Sequence, residues 1–244
     1  MAKEIIQEEQ TIIERGLNEG KARTTGLRCW DCLTQVENFF CKSCERIQPI
    51  PLNADYFQYF GFERKLKVDP IVLENRFHAL SRKFHPDFYQ SKSFKEQELS
   101  LENASALNKA YRVLREPISR VEYLIQLELG EGEGIRCQVP PDLLEEVLDL
   151  HAQLEEIHQL KENSDSSAAV KIKEFLRSEL IKLEVRFKAI NDQIQALSDQ
   201  WDLLNTADRE RHPDTKKLLI EMRNILSQRT YLSNVIEEIK KTLV

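Results

Sequence analysis

This chain is poor in the residues that bend and break a backbone: its 244 residues include 7 glycines and 8 prolines. Sandwiches, barrels and dinucleotide-binding folds use glycine freely in turns and phosphate loops, so the scarcity argues against them and favours long helices with few connections. No apolar run approaches the roughly 20 residues that a membrane-spanning helix needs. The opening stretch, Met1 to Glu9, has neither the apolar core of a signal peptide nor the acid-poor character of a transit peptide, which predicts a soluble, cytoplasmic chain. Positive charge is in the minority as well, with 35 Lys and Arg against 41 Asp and Glu, and the resulting −6 makes a poor general polyanion binder. A nucleophile elbow, a paired-acid constellation and a nucleotide loop are all missing. The one glycine-dense segment, Gly130-Glu-Gly-Glu-Gly134, carries two glutamates and no following Lys-Ser/Thr, so it reads as a linker and not as a phosphate cradle. The expectation is a largely α-helical protein that is not an enzyme.

What is present begins with five cysteines, four of them patterned. Cys29 and Cys32 form one Cys-x-x-Cys pair, Cys41 and Cys44 a second, with Leu33–Phe40 between the pairs; Cys137 stands apart as a small, partly buried thiol. Two residues between cysteines let one turn aim both thiolates at a single tetrahedral ion, and two such turns complete a four-cysteine site. Residues 27–51 are too few for a core of their own, and Val36, Phe39 and Phe40 have little else to pack on, so a bound metal would supply the missing stability. Two disulfides would require an oxidising compartment. A redox Cys-x-x-Cys normally sits in a βαβ context. Structural zinc is therefore expected, with iron in its place chemically allowed by four thiolates.

Local signals divide the chain into an N-terminal arm (1–26), the four-cysteine knuckle (27–51), a helical hairpin (52–129), a linker (130–140) and a three-helix bundle (141–244). In the hairpin, residues 53–62 predict a short aromatic helix stopped near Gly61. Asp69-Pro70 is a helix start, a capping carboxylate followed by proline at the first helical position. Leu73, Phe77, Leu80 and Phe84 then form an amphipathic stripe, with Arg76, Arg82 and Lys83 on other faces. That helix ends by His85, because the residue before a proline is driven out of the α region. A second helix is expected over Phe94–Glu116, with Leu99, Ala106, Ala110 and Val113 along one side, and a shorter one over Ile118–Leu129. Beyond Pro140-Pro141 lie three long stripes: Leu143, Val147, Leu150, Leu154 and Ile157; then Leu176, Leu180, Leu183, Phe187, Ile190, Ile194, Leu197, Trp201 and Leu204; then Leu218, Met222, Ile225, Leu232, Ile236, Ile239 and Leu243, interrupted by Arg229. Polar breaks at Lys161–Ala169 and Asn205–Lys216 imply antiparallel neighbours and hence a bundle, coiled-coil dimerisation being the competing reading.

His85-Pro86-Asp87 falls between the basic amphipathic helix and its long partner. With Asp55-Tyr56-Phe57, Phe77, Phe84, Asn108-Lys-Ala-Tyr111 and Leu114-Arg-Glu-Pro117 around it, this arrangement resembles a J-domain. Ser119-Arg120-Val-Glu-Tyr123-Leu124, the linker and the C-terminal bundle narrow the resemblance to the HscB family of iron–sulfur cluster co-chaperones. The tetracysteine knuckle is similar to the eukaryotic-type and some bacterial members. The tripeptide alone is a weak signal; flanks, helix order and cysteine pairs together are specific. His212-Pro213-Asp214 repeats the tripeptide without a basic helix before it, and reads as a helix start in a bundle loop.

The resemblance implies function without bond chemistry. His85, Pro86 and Asp87, with Arg76, Arg82 and Lys83 adding attraction, would dock on an ATP-bound DnaK/HscA-type chaperone and stimulate its hydrolysis. Phe88 stands where many J-domains have lysine. The bundle would bind the IscU-type cluster scaffold through Leu144, Leu148, Asp149, Glu156 and Tyr231, with Glu145 and Ala152 departing from the family's pattern. A solvated basic face and a wide core stripe are the plain structural readings of these two residue sets. His151 and His158, seven apart, do not have the spacing of a helical metal pair, and His78 has no better claim. The chain is expected to be a monomer or weak dimer that binds no nucleic acid. A zinc-knuckle J-protein serving another client, or a coiled-coil interaction protein with a J-like hairpin, are the alternative functions.

Overall fold

The computed structural model describes residues 28–36, 39–51, 54–130, 148–152, 154–155, 166–204 and 213–243. It divides into two units, Met1–Leu124 and Ile125–Val244. The expected arm, the linker beyond Gly130, and Cys137, Leu143, Leu144, Val147, Glu156, Ile157, His158 and His212 lie outside the described residues. Among the described residues every regular element is helical, and the extended backbone amounts to two isolated bridges in the knuckle.

In the first unit, α1 spans Tyr56–Tyr59. It is shorter than expected because Asp55 and Gln58 close a reciprocal capping box at its start and Gly61, at φ 64°, turns the chain out. α2 runs Pro70–Phe84; the Asp69 carboxylate accepts from the amides of Ile71 and Val72, and His85 leaves the helix in an extended conformation before Pro86. A single 3-10 turn follows at Pro86–Tyr89. α3, Phe94–Arg115, opens with a Ser93/Glu96 capping box and packs against α2, with Phe77 stacked on Tyr111 at 4.1 Å. α3 buries Leu99, Ser100, Asn103, Leu107, Ala110 and Leu114. The expected stripe through Ala106 and Val113 is thus corrected by one position: these two flank the seam, because Leu107 and Leu114 lie on the line 99–103–107–110–114 that is buried.

α4, Pro117–Leu129, begins directly after Glu116. Its Arg120 is buried and donates to the carbonyls of Leu114 (2.7 Å), Arg115 (3.3 Å) and Leu66, closing the C-terminus of α3.

The second unit contains helical residues 148–152 and 154–155, α5 (Ser166–Leu203) and α6 (Pro213–Leu243). Both long helices reach further into the expected breaks than their polarity suggested, since serine and alanine tolerate helix and Pro213 suits a first helical position. Buried Leu176, Leu183, Ile190, Ile194, Leu197 and Trp201 of α5 match the expected stripe, as do Leu150 and Leu154 of the first segment. On α6 the buried apolar residues are Leu219, Met222, Leu226, Leu232, Val235, Ile236 and Ile239, so Leu219 and Leu226 replace the expected Leu218 and Ile225. Arg229 interrupts the apolar seam between Leu226 and Leu232, as expected, and is half-buried there. Its Nε donates to Asn191 Oδ1 at 2.7 Å and its guanidinium lies 4.9 Å from the centre of the Phe187 ring, so it ties α6 to α5.

Candidate functional site

The knuckle is built as two copies of one turn, offset by twelve residues. The Cys29 amide donates to the Thr34 carbonyl (2.8 Å) and the Leu33 amide to the Cys29 carbonyl (3.1 Å); the Cys41 amide donates to Arg46 (3.0 Å) and the Glu45 amide to Cys41 (2.9 Å). Each turn is closed by an antiparallel bridge, Arg28 with Gln35 and Phe40 with Ile47, and each passes through a left-handed residue, Leu33 and Glu45, both at φ 59°. The amides of Asp31 and Ser43 each point at the preceding cysteine sulfur, Cys29 and Cys41, at 3.4 Å.

These turns bring all four Sγ atoms within 4.8 Å of one another, with Cys29 to Cys44 at 3.6 Å and Cys32 to Cys41 at 3.5 Å. Sulfurs about 2.3 Å from a tetrahedral zinc lie about 3.8 Å apart, so the donor set fits such an ion. The cysteines are free, not disulfide-bonded. Four thiols in one place cannot ionise alike. Bonding to Thr34 draws Cys32 down to about 6, whereas Cys44, despite the Arg46 amide working to lower it, is pushed up to about 12 by burial and the neighbouring thiols.

Gln48 escaped the sequence reading, since nothing in its spacing marks it. It is buried, and its Nε2 donates to Cys29 Sγ (3.3 Å) and to the Arg46 carbonyl (3.0 Å). Its own backbone carbonyl accepts from Asn103 Nδ2 (2.8 Å), whose Oδ1 takes the Ile50 amide (3.3 Å). Arg46 adds contacts to Asp31 (3.2 Å) and Glu96 (3.9 Å). Phe39 and Phe40, expected to have little to pack on, both meet the ring of Phe84 of α2, at 5.5 Å edge-on and 5.7 Å stacked. The knuckle is seated on the hairpin.

Directly after Phe84 comes the His-Pro-Asp turn. His85 Nδ1 accepts from the Asp87 amide (3.3 Å) and lies 3.5 Å from Asp87 Oδ2. His85, Asp87 and Phe88 are exposed and Pro86 is half-buried. The turn is pinned from behind: Ser100 Oγ donates to the Phe84 carbonyl (2.7 Å), the Tyr89 hydroxyl to Lys83 (2.9 Å), and Gln97 Nε2 to the carbonyls of Gln90 (3.2 Å) and Lys92 (3.0 Å). Arg82 and Lys83 are exposed just before it. Arg76 differs from its expected role as a surface cation. It is half-buried, donates to the carbonyls of Phe60 (2.5 Å) and Gly61 (3.0 Å), and lies over Phe62 at 4.4 Å, with burial lowering its pKa. The basic surface beside the turn therefore rests on Arg82 and Lys83.

In the second unit Leu148 and Asp149 are exposed and Tyr231 is half-buried on α6; Leu144 and Glu156 lie outside the described residues. His151 Nδ1 sits 3.4 Å from Glu238 Oε2 on α6, an ion pair when the imidazole is protonated. Pro213 and Asp214 open α6, the position expected of the second tripeptide.

The helical hairpin presents His-Pro-Asp at its connecting turn, is preceded by the cysteine knuckle and is followed along the chain by long helices, the order expected of a J-domain co-chaperone. A Vibrio atlanticus co-chaperone protein HscB homolog is 34% identical over 160 residues, covering 64% of this chain and 87% of the relative. The chain belongs to the HscB family of iron–sulfur cluster co-chaperones. The Arabidopsis thaliana HscB homolog is 29% identical over 224 residues, covering 90% of this chain and 75% of its own length. The human HscB crystal structure superposes with a TM-score of 0.58 at 26% identity, covering 88% of this chain and 98% of that one. No family model matches.

Proposed function

We propose that the chain stimulates the ATPase of a DnaK/HscA-type chaperone and brings to it an IscU-type cluster scaffold, aiding cluster transfer. The observation that carries the first half is the exposed, pinned His85-Pro86-Asp87 turn beside Arg82 and Lys83. These cations would attract an acidic surface and act chiefly on the rate of encounter. In this reading 52–129 is the chaperone-binding J-domain, 130–140 the linker and 141–244 the scaffold-binding bundle, with Leu144, Leu148, Asp149, Glu156 and Tyr231 as its contact positions. Cys29, Cys32, Cys41 and Cys44 would hold zinc, which supplies structural cross-linking and leaves no open ligand position.

Steady-state ATPase assays with a purified DnaK/HscA-type partner test the reading. His85→Gln is expected to abolish stimulation and His212→Gln to leave it unchanged; equal loss from both overturns the assignment. For the bundle, a pull-down of the scaffold by the Leu144→Ser, Leu148→Ser double variant should weaken at least about tenfold, the order expected when two apolar contacts are lost from an interface centre. Undiminished capture would move the scaffold site elsewhere and favour a different client.

A further inference from the structure

We propose that the cysteine knuckle positions the His-Pro-Asp turn, acting through Phe39 and Phe40 on Phe84. Phe84 is the last residue of α2, fully buried, and covalently adjacent to His85. Its carbonyl is held from one side by Ser100 of α3, and the downstream end of the turn is held by Tyr89 and Gln97. Two rings that meet the Phe84 ring, Phe39 and Phe40, both belong to the knuckle. Without them the final side chain of a helix would be open on that side, where helix ends fray most readily.

The knuckle is itself rigidly placed. Phe40 immediately precedes Cys41 and bridges to Ile47, and the Phe39 carbonyl accepts the Gln48 amide at 2.8 Å. Asn103 and the Arg46–Glu96 pair then fix the knuckle to α3, the helix that also carries Ser100 and Gln97. A rigid route therefore runs from a metal-binding position to the functional turn: Cys41, Phe40, Phe84, His85. A metal cross-linking the two turns through the four cysteines would reinforce this hold of Phe39 and Phe40 on Phe84, which makes metal occupancy a determinant of the turn's order. Phe39 and Phe40 are positioning residues: they act on the turn through Phe84.

The effect on ATPase stimulation rests on the function proposed above, but the positioning has a readout of its own. The amides of Phe88 and Lys92 donate to the carbonyls of His85 (3.0 Å) and Tyr89 (2.9 Å), and their hydrogen exchange reports the order of the turn. In the full-length, metal-loaded chain, Phe40→Ala should accelerate exchange at these two amides about tenfold through local opening, with the amides of Leu107 and Ala110 in α3 unchanged. Phe40→Tyr, which keeps the ring, should restore the wild-type rates. Chelation of the wild-type metal should reproduce the acceleration. If Phe40→Ala loses its metal, Phe40→Leu, which removes the ring and keeps most of the volume, is read by the same comparison. Unchanged exchange at Phe88, or an equal rise at Leu107 that signals general loosening, overturns the proposal. In the ATPase assay Phe40→Ala should lower the maximal stimulation and leave the half-maximal concentration within about twofold, since Arg82 and Lys83 are untouched. A wild-type chain that gives no stimulation overturns the functional reading, and the exchange rates alone then decide the role of the knuckle.

Discussion

Glu96 shows how one side chain can serve two structures. At the third position of α3 it accepts from the Ser93 amide (3.1 Å) and hydroxyl (2.7 Å), completing the capping box, and it lies 3.9 Å from Arg46 of the knuckle. These bonds, Ser93 first, hold its carboxyl below the usual glutamate range despite its burial. Because the folded state has the lower pKa, the unfolded chain binds more protons as pH falls, and the carboxylate's contribution is complete only above the unfolded value of about 4.3. It is lost as pH drops through the folded value. Glu96→Gln should therefore cost about 1 kcal/mol at pH 7. Urea titrations across the pH range should show the difference from wild type shrinking below about pH 4. A difference that stays constant down to about pH 3 would mean that the charge is not what stabilises the cap.

At the scale of elements, the junction of α3 and α4 shows one helix closing the end of another. α3 stops because Glu116 precedes a proline and takes an extended conformation, leaving terminal carbonyls without intrahelical partners. Arg120, buried at 7% exposure, supplies donors to Leu114, Arg115 and Leu66. Nearby, the Tyr56 amide donates to the Tyr123 hydroxyl (2.9 Å) and the two rings stack at 4.2 Å, so α4 also seats α1. Arg120→Met keeps much of the volume and strands those carbonyls. It is expected to destabilise the first unit by about 3 kcal/mol, seen as a lower urea midpoint at unchanged metal content. A midpoint equal to wild type would show that solvent or a neighbour satisfies the carbonyls as well.

For the whole molecule, the net charge of −6 and the basic pair beside the His-Pro-Asp turn coexist without conflict, because the sum says little about a local field. The two units, Met1–Leu124 and Ile125–Val244, each have their own buried residues, and the cysteine knuckle belongs to the first. Calorimetry should show two transitions, of which a metal chelator lowers the one belonging to the first unit and leaves the other in place. The magnitude is set by a binding energy that reaches about 10–16 kcal/mol in structural zinc peptides. Equal displacement of both transitions would mean that the units do not fold separately.

The sequence by itself determined what depends on neighbours along the chain. Asp69-Pro70 started α2, Pro86 and Pro117 ended helices, and the repeated two-residue cysteine spacing marked the four residues that converge, because capping, proline sterics and turn closure act within a few residues. The α5 stripe from Leu176 to Trp201 was equally plain. Tertiary structure decided what depends on a partner. Successive helix positions differ by about 100° around the axis, so Ala106 against Leu107, Leu218 against Leu219 and Ile225 against Leu226 are apolar neighbours, and the packed helix alone selects between them. Arg76 turned from a surface cation into a half-buried donor because the carbonyls of Phe60 and Gly61 were brought to it. Phe39 and Phe40, apolar residues without a visible purpose in a segment too short for a core, found theirs in Phe84, more than forty positions along the chain. Contacts of that range are fixed only when the folded chain brings their two ends together.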